Sequence, residues 1–249
     1  MRVKQCQQIN LLTRQSAGGS AQFQLNYHYV PIMLLSFLSQ HKQGIIQRIS
    51  GAMLAVALML TAGRSIAAVT VQVLDATGAP VPNAVVYAEP TGGQTVPKSL
   101  KQAEVEQRDI KFSPLVTVVE VGTPISFPNH DKVRHHVYSF SSPKVFELKL
   151  YSGVPTSPIV FDKIGTVVLG CNIHDQMVAY VQVVNTPYFG KTDMSGKVKL
   201  EGLVNGKYAL KAWYFKMLPN EAVPEQALNY QGTDQSVSVK LNVKAVPVE

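Results

Sequence analysis

The chain has 249 residues, of which 23 are Lys or Arg and 16 are Asp or Glu, with a formal net charge of +7. Such a balance suggests nucleic acid or another acidic surface as a partner. However, six of the basic residues precede Val69 and every acidic residue follows it, so that 17 basic and 16 acidic side chains remain. This near neutrality excludes nucleic acid as a partner of the chain after residue 68.

Residues 1–68 have the composition of a leader with a signal peptide. The apolar run at 49–62, ISGAMLAVALMLTA, is preceded by Lys42 and Arg48 and followed by small residues at which a signal peptide is cleaved. The run is too short for a comfortable membrane span. We therefore expect export to the periplasm and no membrane span in the mature chain. We expect translation to start downstream, at Met33 or Met53. An unusually long leader and a membrane anchor are the alternatives.

The two cysteines are Cys6, in the predicted leader, and Cys171. An exported chain would keep only Cys171, which then has no partner for a disulfide. A lone cysteine in an oxidising compartment is a liability unless it is buried or bonded to something else. A buried inert thiol and a metal ligand both satisfy this condition.

From Val69 onward, short β-type runs are separated by turn residues, and helical periodicity is nearly absent. The polar stretch 91–109 is expected to be a loop or linker, with a short helix at 100–107 as an alternative. This pattern predicts an all-β chain with a sandwich architecture. The predicted strands are 69–73, 84–87, 115–121, 125–127, 137–140, 146–150, 159–161, 167–169, 179–184, 196–200, 208–214 and 237–243.

Two segments carry metal-binding side chains. One contains His135 and His136, and the other has Cys171, His174 and Met177 in the order C-x-x-H-x-x-M. Because a predicted strand ends at the cysteine and another starts after the methionine, both side chains can face inward while the loop histidine closes from the tip. Two imidazoles, a thiolate and a weak thioether form the donor set of blue-copper sites.

Other metal groups fit these residues less well. Zinc could use Cys171, His174 and His135, but it would have little use for Met177, so copper is favoured. The sequence has no C-x-x-C-H motif, which excludes a c-type haem. We therefore expect copper as the cofactor.

The region from about Phe112 to Val184 resembles the plastocyanin/azurin-type cupredoxins, and more closely the cupredoxins labelled methylamine-utilisation proteins. No residue in it recognises an amine. Four motifs carry the resemblance: FSP at 112–114, F-x-N-x-D at 127–131, HHV at 135–137 where the family has H-N-V, and the C-x-x-H-x-x-M loop at 171–177.

The resemblance implies a cupredoxin-type Greek-key β-sandwich with a type 1 copper site. His136 stands where the family has an asparagine that braces the ligand loop, which leaves open whether His135 or His136 binds the metal. We expect His136, Asn129 and Asp175 to be outer partners or alternative ligands. Carried over by position, the ligands are His135, Cys171, His174 and Met177.

The flanks of this region resemble a carboxypeptidase-regulatory-like (transthyretin-like) sandwich. The resemblance is carried by VQVLDATGAPVPNAVVYAEP, which starts at Val71, and TDMSGKVKLEGLVNGKYALKAWY, which starts at Thr192. It implies a second small β-sandwich built from 69–104 plus 187–249 and split by a cupredoxin domain at 110–186. The alternative assigns 69–87 to the cupredoxin domain as its first strands.

These expectations together predict an exported copper protein that transfers single electrons between redox partners. A c-type cytochrome or a periplasmic dehydrogenase is the expected partner. We do not expect an enzyme, because four donors leave no open position for a substrate. The alternatives are a periplasmic copper-binding or trafficking protein and a structural β-sandwich protein with a vestigial site.

Overall fold

The computed structural model describes residues 67–218 and 221–246, so residues 1–66 of the predicted leader, with its apolar run at 49–62, lie outside the described residues. Ala68, the last residue of the predicted leader, is the first residue of a strand. The described part of the chain contains strands and no helix, which confirms the prediction of an all-β fold. It accordingly has no helix with the length and hydropathy of a membrane span.

The strands of the described residues are β1 (Ala68–Leu74), β2 (Val85–Pro90), β3 (Ala103–Glu104), β4 (Glu106–Arg108), β5 (Lys111–Ser113), β6 (Val116–Glu120), β7 (Thr123–Ser126), β8 (His135–Ser139), β9 (Phe146–Tyr151), β10 (Ile159–Phe161), β11 (Gly165–Gly170), β12 (Val178–Val184), β13 (Phe189–Lys191), β14 (Lys197–Glu201), β15 (Gly206–Trp213), β16 (Glu225–Tyr230) and β17 (Gln235–Lys240).

Two sheets, in the orders β14-β1-β17 and β13-β2-β15-β16, enclose one core. We call this pair of sheets the flank sandwich. Its strands alternate between core and surface. In β1, for example, Val69, Val71 and Val73 are fully buried. They share one core with Leu210 and Tyr208 of the opposite sheet. Among the described strands, β1 and β2 pair only with strands that follow β12.

The second pair of sheets forms the central sandwich. A five-stranded sheet, β6-β12-β11-β8-β9, packs against a smaller sheet, β10-β7-β3. The hairpin of β4 and β5 lies beside them. β12 pairs antiparallel with β11 and parallel with β6. The core between the sheets contains Phe127, Phe161 and Leu169, and it also contains Cys171 and Met177. The two sulfur side chains of the predicted site are therefore part of a packed core.

A third cluster of buried side chains joins the two sandwiches. It includes Tyr87 and Trp213 from the flank sandwich, and Val116 and Val184 from the central sandwich. Nζ of Lys191 donates a hydrogen bond to the carbonyl of Val116 at 2.7 Å. These contacts all lie within one compact unit.

The alternative of a helix at 100–107 is wrong. β3 pairs in parallel with β7, and β4 pairs with β5. Val105 and Gln107 are fully buried, and the Gln107 side chain donates to the carbonyl of Phe127. Pairing with neighbouring strands satisfies the backbone here and offsets the helical preference of the local sequence. The expectation of a loop or linker over 91–109 is also wrong at 103–104 and 106–108, where β3 and β4 lie, and strands β5, β13 and β16 were not predicted either.

Candidate metal centre

The loop that precedes β8 is braced by Asn129. Its side-chain amide donates to the carbonyls of Val133 and Tyr151, each at 2.9 Å. Its side-chain oxygen accepts from the backbone N–H of Asp131, also at 2.9 Å. Asn129 thus fixes the path of the chain into His135, the first residue of β8.

His135 and His136 make different contacts. His135 is fully buried, and its Nε2 lies 2.7 Å from Oδ2 of Asp131. Nε2 of His136 lies 2.8 Å from Oε1 of Glu147. Because successive side chains of a strand point to opposite faces, the two rings cannot both enter the core of the central sandwich.

The loop between β11 and β12 places the sulfur atoms. Gly170 and Val178 form the last residue pair of these strands. Cys171 is therefore the first residue of the loop and Met177 is its last. Both are buried, at 4% and 1% exposure. The loop is tight, since the N–H of Met177 donates to the carbonyl of His174 at 2.9 Å. His174 itself is half-buried.

Three donor side chains converge between β8 and this loop. His135, Cys171 and His174 each offer one ligand atom, and these atoms lie within 4.8 Å of one another. The His135 and His174 rings meet edge to face, with centroids 5.1 Å apart. No other group of three such side chains occurs in the described residues. The group could therefore hold a metal ion, with Met177 buried in the same core.

The hydrogen bonding of the two rings fits this use. Nδ1 of His135 and Nδ1 of His174 are buried and have no hydrogen-bond partner among the described residues. A buried nitrogen without a partner is costly, and bonding to a metal removes that cost. Nδ1 of His136 also lacks a partner, but His136 is not in the group of converging donors.

The carboxylate of Asp131 lies beside the group, in contact with His135. Burial acts to raise the pKa of Asp131, but hydrogen bonds from the Ile110 N–H, from His135 and from the Asp109 N–H outweigh it and hold this pKa below its ordinary value. Asp131 is therefore an ionised partner of His135 at neutral pH.

Tyr151 packs against the core cluster that contains Cys171. Burial raises the pKa of Tyr151 to about 12, the nearby Cys171 acts in the same direction, and a hydrogen bond from Gln107 opposes them. The neutral hydroxyl donates to the carbonyl of Phe127 at 2.6 Å. Tyr151 therefore adds no charge to the site.

Of the outer partners predicted from the sequence, Asn129 braces the loop, His136 faces Glu147 and Asp175 is exposed. Sequence reasoning missed Asp131 and Glu147 as the partners of the two histidines. For Asp131, the available signal was a carboxylate four residues before a predicted ligand.

No protein-family model matches the chain, and no curated protein matches it significantly. Solved structures of copper proteins are similar to part of it. A purple cupredoxin from Nitrosopumilus maritimus is 26% identical and covers 33% of this chain and 99% of its own, with a TM-score of 0.27. A pseudoazurin from Hyphomicrobium denitrificans is 26% identical, and the match covers 33% of this chain and 75% of the pseudoazurin, with a TM-score of 0.29. A Cu-containing nitrite reductase from Thermus scotoductus SA-01 is 23% identical, and the match covers 39% of this chain and 25% of the reductase, with a TM-score of 0.32.

Proposed function

We propose that the protein is an exported type 1 copper protein that transfers single electrons between redox partners. The observation that carries the proposal is the buried convergence of His135, Cys171 and His174, with both histidines offering an unpartnered Nδ1. His135, Cys171, His174 and Met177 would hold the ion. A bound copper ion would supply a one-electron redox couple.

Copper is preferred over zinc because of the methionine. Met177 is 1% exposed and belongs to the same core cluster as Cys171. Two histidines and a cysteine with a weak thioether are typical of blue-copper sites, whereas structural zinc sites use four strong donors. Without the thioether contact, the three remaining donors would suit either metal.

The surroundings would keep the site rigid. Cys171 and Met177 are anchored next to a strand pair, and His135 is anchored in β8. Rigidity favours electron transfer because a site that moves little between the two oxidation states needs little reorganisation. His174 is the least buried of the three donors, so we propose that electrons enter and leave there. A c-type cytochrome or a periplasmic dehydrogenase would be the partner.

We also propose that residues 110–186 form the copper-binding domain and that 69–104 with 187–249 form the second sandwich. The pairing of β1 with β14 and β17, and of β2 with β13 and β15, supports this division. Four donors with no open position argue against an enzyme. The leader at 1–68 would direct export and leave a periplasmic mature chain.

The test is an optical and EPR spectrum after addition of one equivalent of Cu(II). We expect an intense visible thiolate-to-copper band with narrow hyperfine splitting, and its complete loss in Cys171→Ser. Cys6→Ser, made in the full chain that still carries the predicted leader, is the matched control and should keep the band. A Cys171→Ser variant that keeps the band would end the assignment. Tight binding without reversible redox cycling would indicate copper trafficking or storage instead.

A further inference from the structure

A turn with an unusual backbone joins β4 and β5. Its central residues, Asp109 and Ile110, have φ values of 55° and 57°, in the left-handed region. Two-residue hairpin turns of this kind normally use Asn, Asp or Gly, and a β-branched residue is strained there. Ile110 is 37% exposed, so burial of its side chain does little to offset the strain. Other interactions must hold the turn.

The carboxylate of Asp131 supplies them. It accepts the backbone N–H of Asp109 at 2.7 Å and that of Ile110 at 3.0 Å. Oδ2 of Asp131, which bonds Ile110, also lies 2.7 Å from Nε2 of His135. A single carboxylate therefore connects the strained turn with the buried imidazole of the metal centre.

This contact determines which ring nitrogen of His135 is available. Both carboxylate oxygens of Asp131 already accept a backbone N–H, and a carboxylate only accepts hydrogen bonds. In the neutral ring, Nε2 therefore carries the hydrogen and Nδ1 keeps its lone pair. Nδ1 is the buried atom without a partner. Among the described residues, Asp131 is the only hydrogen-bond partner of this ring. Without it, the hydrogen could occupy either nitrogen and the ring could turn.

We propose that Asp131 is a positioning residue with two separable roles. It fixes His135 in the Nε2–H tautomer with Nδ1 free for the metal, and it stabilises the Asp109–Ile110 turn. The first role rests on the proposed function, in which His135 binds copper. The competing explanation is that Asp131 serves the turn alone and affects the metal only through the fold.

The experiment compares the full chain with three variants: Asp131→Asn, Ile110→Gly and the double variant. Asp162→Asn is the matched control, because Asp162 is an exposed carboxylate that accepts a hydrogen bond from Lys144. In metal-free protein, the ¹⁵N chemical shifts of the His135 ring report its tautomer. Titration with Cu(II) measures affinity, and urea unfolding measures stability.

We expect one tautomer, with hydrogen on Nε2, in the wild type. Asp131→Asn should mix the tautomers, lower copper affinity about 10- to 100-fold and lower the urea midpoint. Ile110→Gly relieves the strain at φ 57°, so in the double variant it should restore the midpoint but neither the tautomer nor the affinity. Asp162→Asn should leave the tautomer and the affinity unchanged.

Two results would overturn the proposal. One is hydrogen on Nδ1 of His135 in the wild type, which needs no variant to fold. The other is recovery of copper affinity in the double variant, which would mean that Asp131 acts through the turn alone. The tautomer is measured in metal-free protein, so it tests the role of Asp131 independently of copper binding. Absence of a thiolate–copper band would contradict the proposed function and would leave the tautomer test in force.

Discussion

His135 and His136 are adjacent in the sequence, but their side chains lie in different environments. His135 is fully buried and lies with Cys171 and His174. His136 is buried against Glu147, whose side chain is 53% exposed. Only His135 is placed to share an ion with the other two donors.

The matched variants His135→Ala and His136→Ala test this difference. We expect His135→Ala to remove the intense visible band and to weaken Cu(II) binding by more than about 100-fold, the upper cost of losing an outer partner. We expect His136→Ala to keep the band, because Glu147 can be hydrated when the ring is lost. Cu(II) titration followed by absorption measures both effects, and the reverse pattern would make His136 the ligand.

The donor types and their spacing could be predicted because the C-x-x-H-x-x-M loop is local in the sequence. The choice between His135 and His136 could not, because the face that each presents depends on the register of β8 with β9, which has an irregularity at this point. Asp131 was missed for a similar reason. A carboxylate four residues before a histidine meets it only if the loop curls back, and here Asn129 imposes that path.

The turn before β14 depends on Gly196. Its φ is +72°, and a Cβ added there would lie 2.6 Å from the backbone carbonyl oxygen of Val73. Gly202 has the same φ, but a Cβ would meet nothing within 4 Å. Comparison of alanine substitutions at the two positions therefore distinguishes the cost of the left-handed backbone from the cost of a collision with β1.

We expect Gly202→Ala to lower the free energy of unfolding by about 1–2 kcal/mol, the cost of the left-handed conformation. Gly196→Ala should lower it by about 2–5 kcal/mol, because the collision with a backbone atom adds to that cost. Urea unfolding measures both values. Equal losses would show that β1 moves away from the new methyl group at little cost.

The strands that the sequence predicted include those with alternating apolar residues, such as β9, and those rich in β-branched residues, such as β1 and β12. β16, with the sequence EQALNY, has neither pattern and forms through its antiparallel pairing with β15. β3, β4 and β5 are only two or three residues long. β3 forms through its pairing with the distant β7, and β4 and β5 pair with each other as a hairpin, so pairing makes them strands where their own sequences show no strand pattern.

Aromatic contacts pack the two sandwiches together. Tyr180 of β12 lies against Phe215, with ring centroids 5.2 Å apart, and against Trp213 at 6.4 Å. Tyr180 and Met177 are in or next to β12, so the strand that follows the ligand loop is also the strand that carries the interface. Packing of the flank sandwich thereby supports the rigidity of the candidate site.

Lys191 lies at the same interface, where its ammonium group donates to the carbonyl of Val116. Burial lowers the pKa of Lys191 from its ordinary value of 10.5. Between the lowered pKa and 10.5, the unfolded chain therefore binds more protons than the folded chain. Stability that depends on this group rises with pH across that window.

We expect the wild type to gain stability relative to Lys191→Met as the pH is raised from neutral to 10.5. The methionine does not titrate, so the difference between the two unfolding free energies isolates the lysine. Lys199→Met, at an exposed position of β14, is the control and should show no such trend. Urea unfolding at several pH values measures the differences. A difference that is constant with pH would mean that Lys191 stays hydrated and that the sandwiches separate enough to admit water beside it.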